Sequence, residues 1–164
     1  MKYTTKFDGL TALKTQLEGV KERKVKVGAL QGDHAWLAGI HEYGCRIKVT
    51  PKMRAFLHSQ GLHLRADTTE IVIPERSFLR SGHDANIDRV LEQTDRALSA
   101  VLAGKMDVDD MLDLCGQQLA TAIKKYMRDL SDPPKHPFTL DQTGSSNPLI
   151  VTGGLLESIT WKKD

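Results

Sequence analysis

The chain has 164 residues, of which 40% are hydrophobic and 27% charged, with a formal net charge of +2. That is enough chain for one soluble domain, residues 1–164, with a buried core, and the bulk charge argues neither for nor against a nucleic-acid partner. No apolar run reaches membrane-spanning length, and two distant cysteines, Cys45 and Cys115, fit free thiols in a reducing compartment rather than a disulfide framework.

Met1 to Asp8 has no apolar h-region, so no signal peptide is expected and folding is expected in a cytoplasm. Leu10, Leu13, Leu17 and Val20 recur at helical spacing behind Asp8, a candidate N-cap, and Gly19 weakens that helix near its end. Lys24 to Ala29 alternates polar and apolar, the period of a strand with one buried face. From Asp33 to Tyr43 the apolar positions Trp36, Leu37 and Ile40 predict a helix, with Gly44 at its C′ position.

Residues 44–66 form a basic insertion carrying Arg46, Lys48, Lys52, Arg54 and Arg65 and no acid. Thr50-Pro51 is a helix start, Thr as cap and Pro at the first helical position. Met53, Phe56 and Leu57 give that helix an apolar face, on which Phe56 is expected as core, and Gly61 closes it. The stretch Ile71 to Arg80 organises the chain. Its β-branched run predicts a buried strand, and Pro74 ends it or confines it to an edge. Phe78 and Leu79 are expected in the core, with Arg76 and Arg80 left at the rim.

Ser81-Gly82 is expected as a turn. Ile87 to Leu102 then holds the i, i+3, i+4 pattern of an amphipathic helix, ended by Gly104. Asp107 caps the next, with Asp109 and Asp110 in its first turn, where the helix dipole favours acid, and an apolar face from Val108 to Tyr126. Residues 131–148, with Pro133, Pro134, Pro137 and Pro148, are expected as a flexible loop whose large apolar side chains, Phe138 and Leu140, anchor on a neighbouring subunit or fold back on the same chain. Ser158 to Trp161 alternates as a strand. The expected fold is α+β: a mostly antiparallel sheet of about three to five strands against two long helices and an N-terminal helix.

His41-Glu42 with Cys45 lacks metal-ligand spacing. No Gly-rich phosphate loop with its Lys and no Gly-x-Ser-x-Gly elbow occurs. No catalytic, cofactor-binding or metal-ligating residue is therefore assigned, and no enzyme is expected.

Three patterns together resemble the tail-completion, or neck, proteins that join head and tail in tailed bacteriophages. One is Val25-Lys26-Val27-Gly28 followed by Ile40-His41-Glu42-Tyr43-Gly44. The second is Ile73-Pro74-Glu75-Arg76-Ser77-Phe78-Leu79-Arg80. The third is Pro148-Leu149-Ile150, Thr152-Gly153, Leu155 and Ser158-Ile159. The resemblance spans Val25 to Trp161; the 44–66 insertion is longer than in the shortest family members. It implies a structural virion protein at the head–tail junction or tail end, which completes or caps the tail and docks it to the head. It further implies assembly with other neck and tail proteins in a six-fold ring from a chain that is monomeric when free, in the host cytoplasm and then the virion. The residues expected to face partners are Lys48, Lys52 and Arg54 of the insertion, Arg76 and Arg80, Phe138 and Leu140, and Trp161 on a terminal edge strand. The alternative is a nucleic-acid-contacting module using the basic insertion.

Overall fold

The computed structural model describes residues 8–21 and 23–164. The expectation about a leader at Met1–Lys6, and the side chains of Leu10 and Leu13, lie outside the described residues. Asp8 lies within α1 (Asp8–Lys21) rather than capping it, and the helix runs on past Gly19. The chain continues through β1 (Val25–Ala29), α2 (Gly32–Tyr43), β2 (Cys45–Lys48), α3 (Pro51–Ser59) and β3 (Glu70–Ile73). Then come α4 (Leu79–Asp84), α5 (Ile87–Leu102), α6 (Val108–Asp129), α7 (Pro137–Thr143), α8 (Gly154–Ser158) and β4 (Ile159–Lys163).

The class is α+β, but the strands divide differently from the single sheet expected. β1 pairs antiparallel with β4, Val27 opposite Trp161, while β2 pairs antiparallel with β3, Cys45 opposite Ile73, in a separate two-stranded sheet. Gly44 makes the separation. It leaves α2 at φ 69°, and a Cβ there would stand 2.9 Å from Ile73 O and from Glu75 N, so only glycine allows the β2–β3 arm to fold back this closely. β3 is not the fully buried strand its β-branched run suggests. Ile71 and Ile73 are half-buried while Val72 is 56% exposed, because only one face of the arm is covered.

α6 is the spine of the body. Buried residues along it (Met111, Leu112, Gly116, Ala120, Ile123, Met127) recur at helical spacing and meet α4, α5 and the β1–β4 sheet. One core gathers Phe78, Met127, Ile159, Leu149, Leu155 and Ala38. Burying side chains of the Phe, Met, Ile and Leu kind contributes about 1.5–3 kcal/mol each. A second core joins Ala97 and Val101 of α5 to Met111 and Leu112 of α6, with Val20 and Val25 against it. Ser81 and Gly82, expected as a turn, lie inside α4, where Gly82 is buried against Ile123 and Tyr126. On α2 the expected apolar stripe is rotated: Ala38 and Glu42 are buried, Leu37 is half-buried and Trp36 is 72% exposed.

The 131–148 segment, expected as a loop, contains α7 and is tied to the body. Asn147 Nδ2 donates to the last carbonyls of α6, Met127 O at 3.2 Å and Arg128 O at 3.0 Å, and its Oδ1 accepts from the amides of Leu149 and Ile150, both at 2.9 Å. One amide side chain thus closes a helix end, which otherwise leaves its carbonyls orphaned, and fixes the next turn.

Candidate functional site

Two neighbouring features carry the unusual chemistry of this chain: a buried carboxylate and a cationic groove. Glu42 is 2% exposed. Its Oε1 accepts from Ser77 Oγ at 2.8 Å, from the Arg80 amide at 3.0 Å and from Arg80 Nε at 2.9 Å, while Oε2 accepts from the amides of Phe78 at 3.0 Å and Leu79 at 2.8 Å. These amides are the first N–H groups of α4, which have no partner within their own helix, so a carboxylate from α2 closes the turn that delivers Phe78 to the core. Burial pushes the Glu42 carboxyl up; the amides of Arg80 and Leu79, the Ser77 hydroxyl and the Arg80 guanidinium outweigh it and hold the group below its ordinary range. Arg80 continues the clasp, with Nη2 on Glu42 O at 3.0 Å and on Glu75 Oε1 at 2.6 Å, and its guanidinium carbon 4.8 Å from the Tyr43 ring centre.

Beside this clasp runs a groove of about 910 Å³, within the size range of ligand-binding clefts. Its apolar lining combines β3 and Leu62 and Leu64 of the arm with Phe138 of α7, Leu149 and Leu155. Its ionisable lining is one-sided. Arg76, Lys135, His34, His41 and His136 face a single carboxylate, Glu70, which is itself 3.5 Å from Arg46. Among the described residues neither Arg76 nor Lys135 has a carboxylate at ion-pair distance: Arg76 is held by carbonyls and Lys135 by Ser145 O at 3.0 Å and Thr143 Oγ1 at 3.3 Å. Burial lowers the pKa of Lys135, and Arg76 lowers it further. Burial, then Arg76 and Lys135, likewise push His41 down and favour its neutral form.

The structure sorts the residues expected to face partners. Arg76, expected at the rim, is only 6% exposed; its Nε and Nη2 donate to Pro133 O and Pro134 O, both at 2.8 Å, because that Pro-rich stretch presents carbonyls with no helix or strand to take them. Arg80 is half-exposed but committed to Glu42 and Glu75. Arg54 is committed too, to Leu64 O at 3.2 Å, Arg65 O at 2.8 Å and Thr68 O at 2.6 Å. Trp161 packs on Gly116 of its own α6 and donates through Nε1 to Asp113 at 3.1 Å, so that ring is used internally. Lys48 and Lys52 are exposed on the arm, Leu140 is 40% exposed, and Phe138 is half-buried in the groove wall. Phe56, expected as core, is 62% exposed, since nothing covers that side of α3 among the described residues.

Sequence reasoning missed the central carboxylate. Its only local signal was position, Glu42 two residues before a glycine and between His41 and Tyr43; its donors lie 35–38 residues further on. No group of three or more His, Cys, Asp or Glu side chains suited to a metal ion occurs among the described residues. No helix among them is long and apolar enough to cross a membrane. No family model, curated protein or solved structure matches this chain.

Proposed function

We propose that this chain is a structural protein of a tailed-bacteriophage particle, placed at the head–tail junction or tail end, where it completes or caps the tail and docks it to the head. It acts through surfaces rather than catalysis, joins other neck and tail proteins in a ring, and passes from the host cytoplasm into the virion. The observation that supports this reading is the meeting of the three patterns behind the family resemblance. Glu42 of the first holds residues 77–80 of the second, Leu149, Leu155 and Ile159 of the third surround Phe78, and β1 pairs with β4. Residues far apart in sequence, singled out for order and spacing alone, therefore build one structural unit. Beside it lies an open groove of the size a partner segment requires.

The nucleic-acid alternative loses much of its basis, because Arg54 is spent on carbonyls and Arg46 lies beside Glu70. Retention on heparin with a steep loss at higher salt would favour it. The test of the main reading is light scattering of the purified chain over a wide concentration range, with and without assembled tail tubes, followed by labelled electron microscopy of the particle. The expected result is a monomer that forms a ring on the tube end. A chain that stays monomeric in the presence of tubes overturns the proposal.

A further inference from the structure

We infer that the groove takes an extended peptide strand, apolar along the face that enters it and acidic at the end that meets Arg76 and Lys135, and that this strand pairs main chain to main chain with the free edge of β3. The inference rests on the docking reading above, though not on the identity of the particle.

The edge comes from the register. Cys45 lies opposite Ile73 and Ile47 opposite Ile71, and further along the same ladder the Val49 amide donates to Thr69 O at 2.8 Å. Residues 49 and 69 are thus a hydrogen-bonded pair. Antiparallel pairs alternate, so 47 with 71 and 45 with 73 are bonded pairs as well. The amide and carbonyl groups of Glu70 and Val72 therefore turn away from β2. Both residues line the groove, and among the described residues β3 has no second strand beside it. An open edge of this kind is a template for another strand. Four residues of β3 offer about 13 Å of edge, enough for an incoming segment of roughly four to six residues.

The walls and the charges specify what that segment carries. Phe138, Leu149 and Leu155 line the same groove as β3 and make part of it apolar, which suits a strand with an apolar side chain at every second position. Arg76, three residues after β3 in the chain, and Lys135 line the same groove, and an acidic residue at one end of the strand would meet this pair. A nucleic-acid strand shares the negative charge but has no alternating amides and carbonyls to match the edge.

The test uses the full chain and labelled, C-terminally amidated hexapeptides, read by fluorescence anisotropy. Two acidic probes, Glu-Val-Thr-Val-Thr-Val and Val-Thr-Val-Thr-Val-Glu, cover the two strand directions. The controls carry Lys in place of Glu, or N-methyl groups on alternate amides. One acidic probe is expected to bind saturably, with roughly tenfold losses for the Lys and N-methyl controls. Val72→Pro removes an outward-facing donor while sparing the β2–β3 ladder, so it should weaken binding about tenfold with an unchanged melting curve. Lys135→Gln should weaken the acidic probe and leave an all-neutral probe unaffected. Equal binding of the Glu and Lys probes, or no binding of either acidic probe, overturns the inference. So does self-association of the chain that Val72→Pro abolishes, which would make a second copy the occupant, or displacement of the probe by oligothymidylate. If no probe binds while Val72→Pro protein still completes tails, the inference falls and the docking reading stands. If the acidic probe binds while the chain ignores tail tubes, the opposite holds.

Discussion

Replacing Glu42 with Gln should destabilise the fold by about 3–5 kcal/mol at neutral pH, the loss typical of breaking one side of a buried charge network. The substitution is nearly isosteric, so the effect isolates hydrogen bonding and charge. If the new amide oxygen stands where Oε1 does, its NH2 group faces the amides of Phe78 and Leu79; if it is reversed, the NH2 group faces Ser77 Oγ, the Arg80 amide and Arg80 Nε. Either way at least two donors meet a donor. Adding five charge-assisted bonds at roughly 1.5–3 kcal/mol each would approach the entire stability of a domain. The bonds act as one network, so the smaller figure is the one to test. For a chain of this size it corresponds to a fall in Tm of about 6–20 °C. The acid limb supplies a second check. The native carboxyl titrates below the ordinary value of 4.5, so just under that pH the unfolded chain binds more protons than the native one. The stabilisation is complete above pH 4.5 and is lost as pH falls through the native pKa. Urea melts of parent and Glu42→Gln should therefore differ most near neutrality and converge below that window. A difference under about 1 kcal/mol at pH 7 would refute the clasp.

Four other outcomes follow from the packing and the surface. Phe78→Ala, at a side chain with no exposed surface, should cost about 3–5 kcal/mol in chemical denaturation; a near-neutral result would mean that the turn after β3 is not core. Gly116→Ala places a Cβ 2.5 Å from the Trp161 ring, so it should cost about 1–3 kcal/mol through overpacking and shift the tryptophan emission. On the arm, Lys48→Glu with Lys52→Glu should leave the melting curve unchanged and impair particle completion. Arg54→Ala should loosen the 61–69 loop, seen as faster amide exchange there, because three carbonyls lose their donor.

The long helices and β1 were legible because periodicity is a local signal that tertiary packing seldom reverses when it persists over several turns. The helix start at Thr50-Pro51 was equally local: Thr50 Oγ1 accepts from the Met53 amide at 3.2 Å. β2 was missed because four residues bearing Arg46 and Lys48 between a glycine and a valine carry too short an alternation to separate from loop. α4, α7 and α8 were missed because helices of five to seven residues owe their ends to distant partners. The rotation of α2 has the same origin. Trp36, Leu37 and Ile40 look like the buried stripe, but the face turned inward is the one that carries Glu42. Nothing near Glu42 in sequence announces that a hydroxyl, three amides and a guanidinium converge on it.

The candidate interface was legible in part, and the division follows side-chain chemistry. Composition counts an arginine as a positive charge, which belongs at the rim. The fold uses Arg54 and Arg76 as planar forks with several N–H donors, and places them where runs of carbonyls lack helix or strand partners. Around Arg54 these are the carbonyls of the 64–68 turn; around Arg76 they are Pro133 O and Pro134 O, in a stretch where proline supplies acceptors without donors. Lysines lack that fork: Lys48 and Lys52 are exposed on the arm, and Lys135, beside Arg76 in the groove, bonds a carbonyl and a hydroxyl rather than a carboxylate among the described residues, so all three can meet something outside the chain. Two of them ride on the arm and one sits in the groove between the arm and the body, so a partner reading this surface must touch the arm and the groove together. A mutation that stiffens or displaces β2–β3 without changing any charge should then weaken docking as much as removing the lysines themselves.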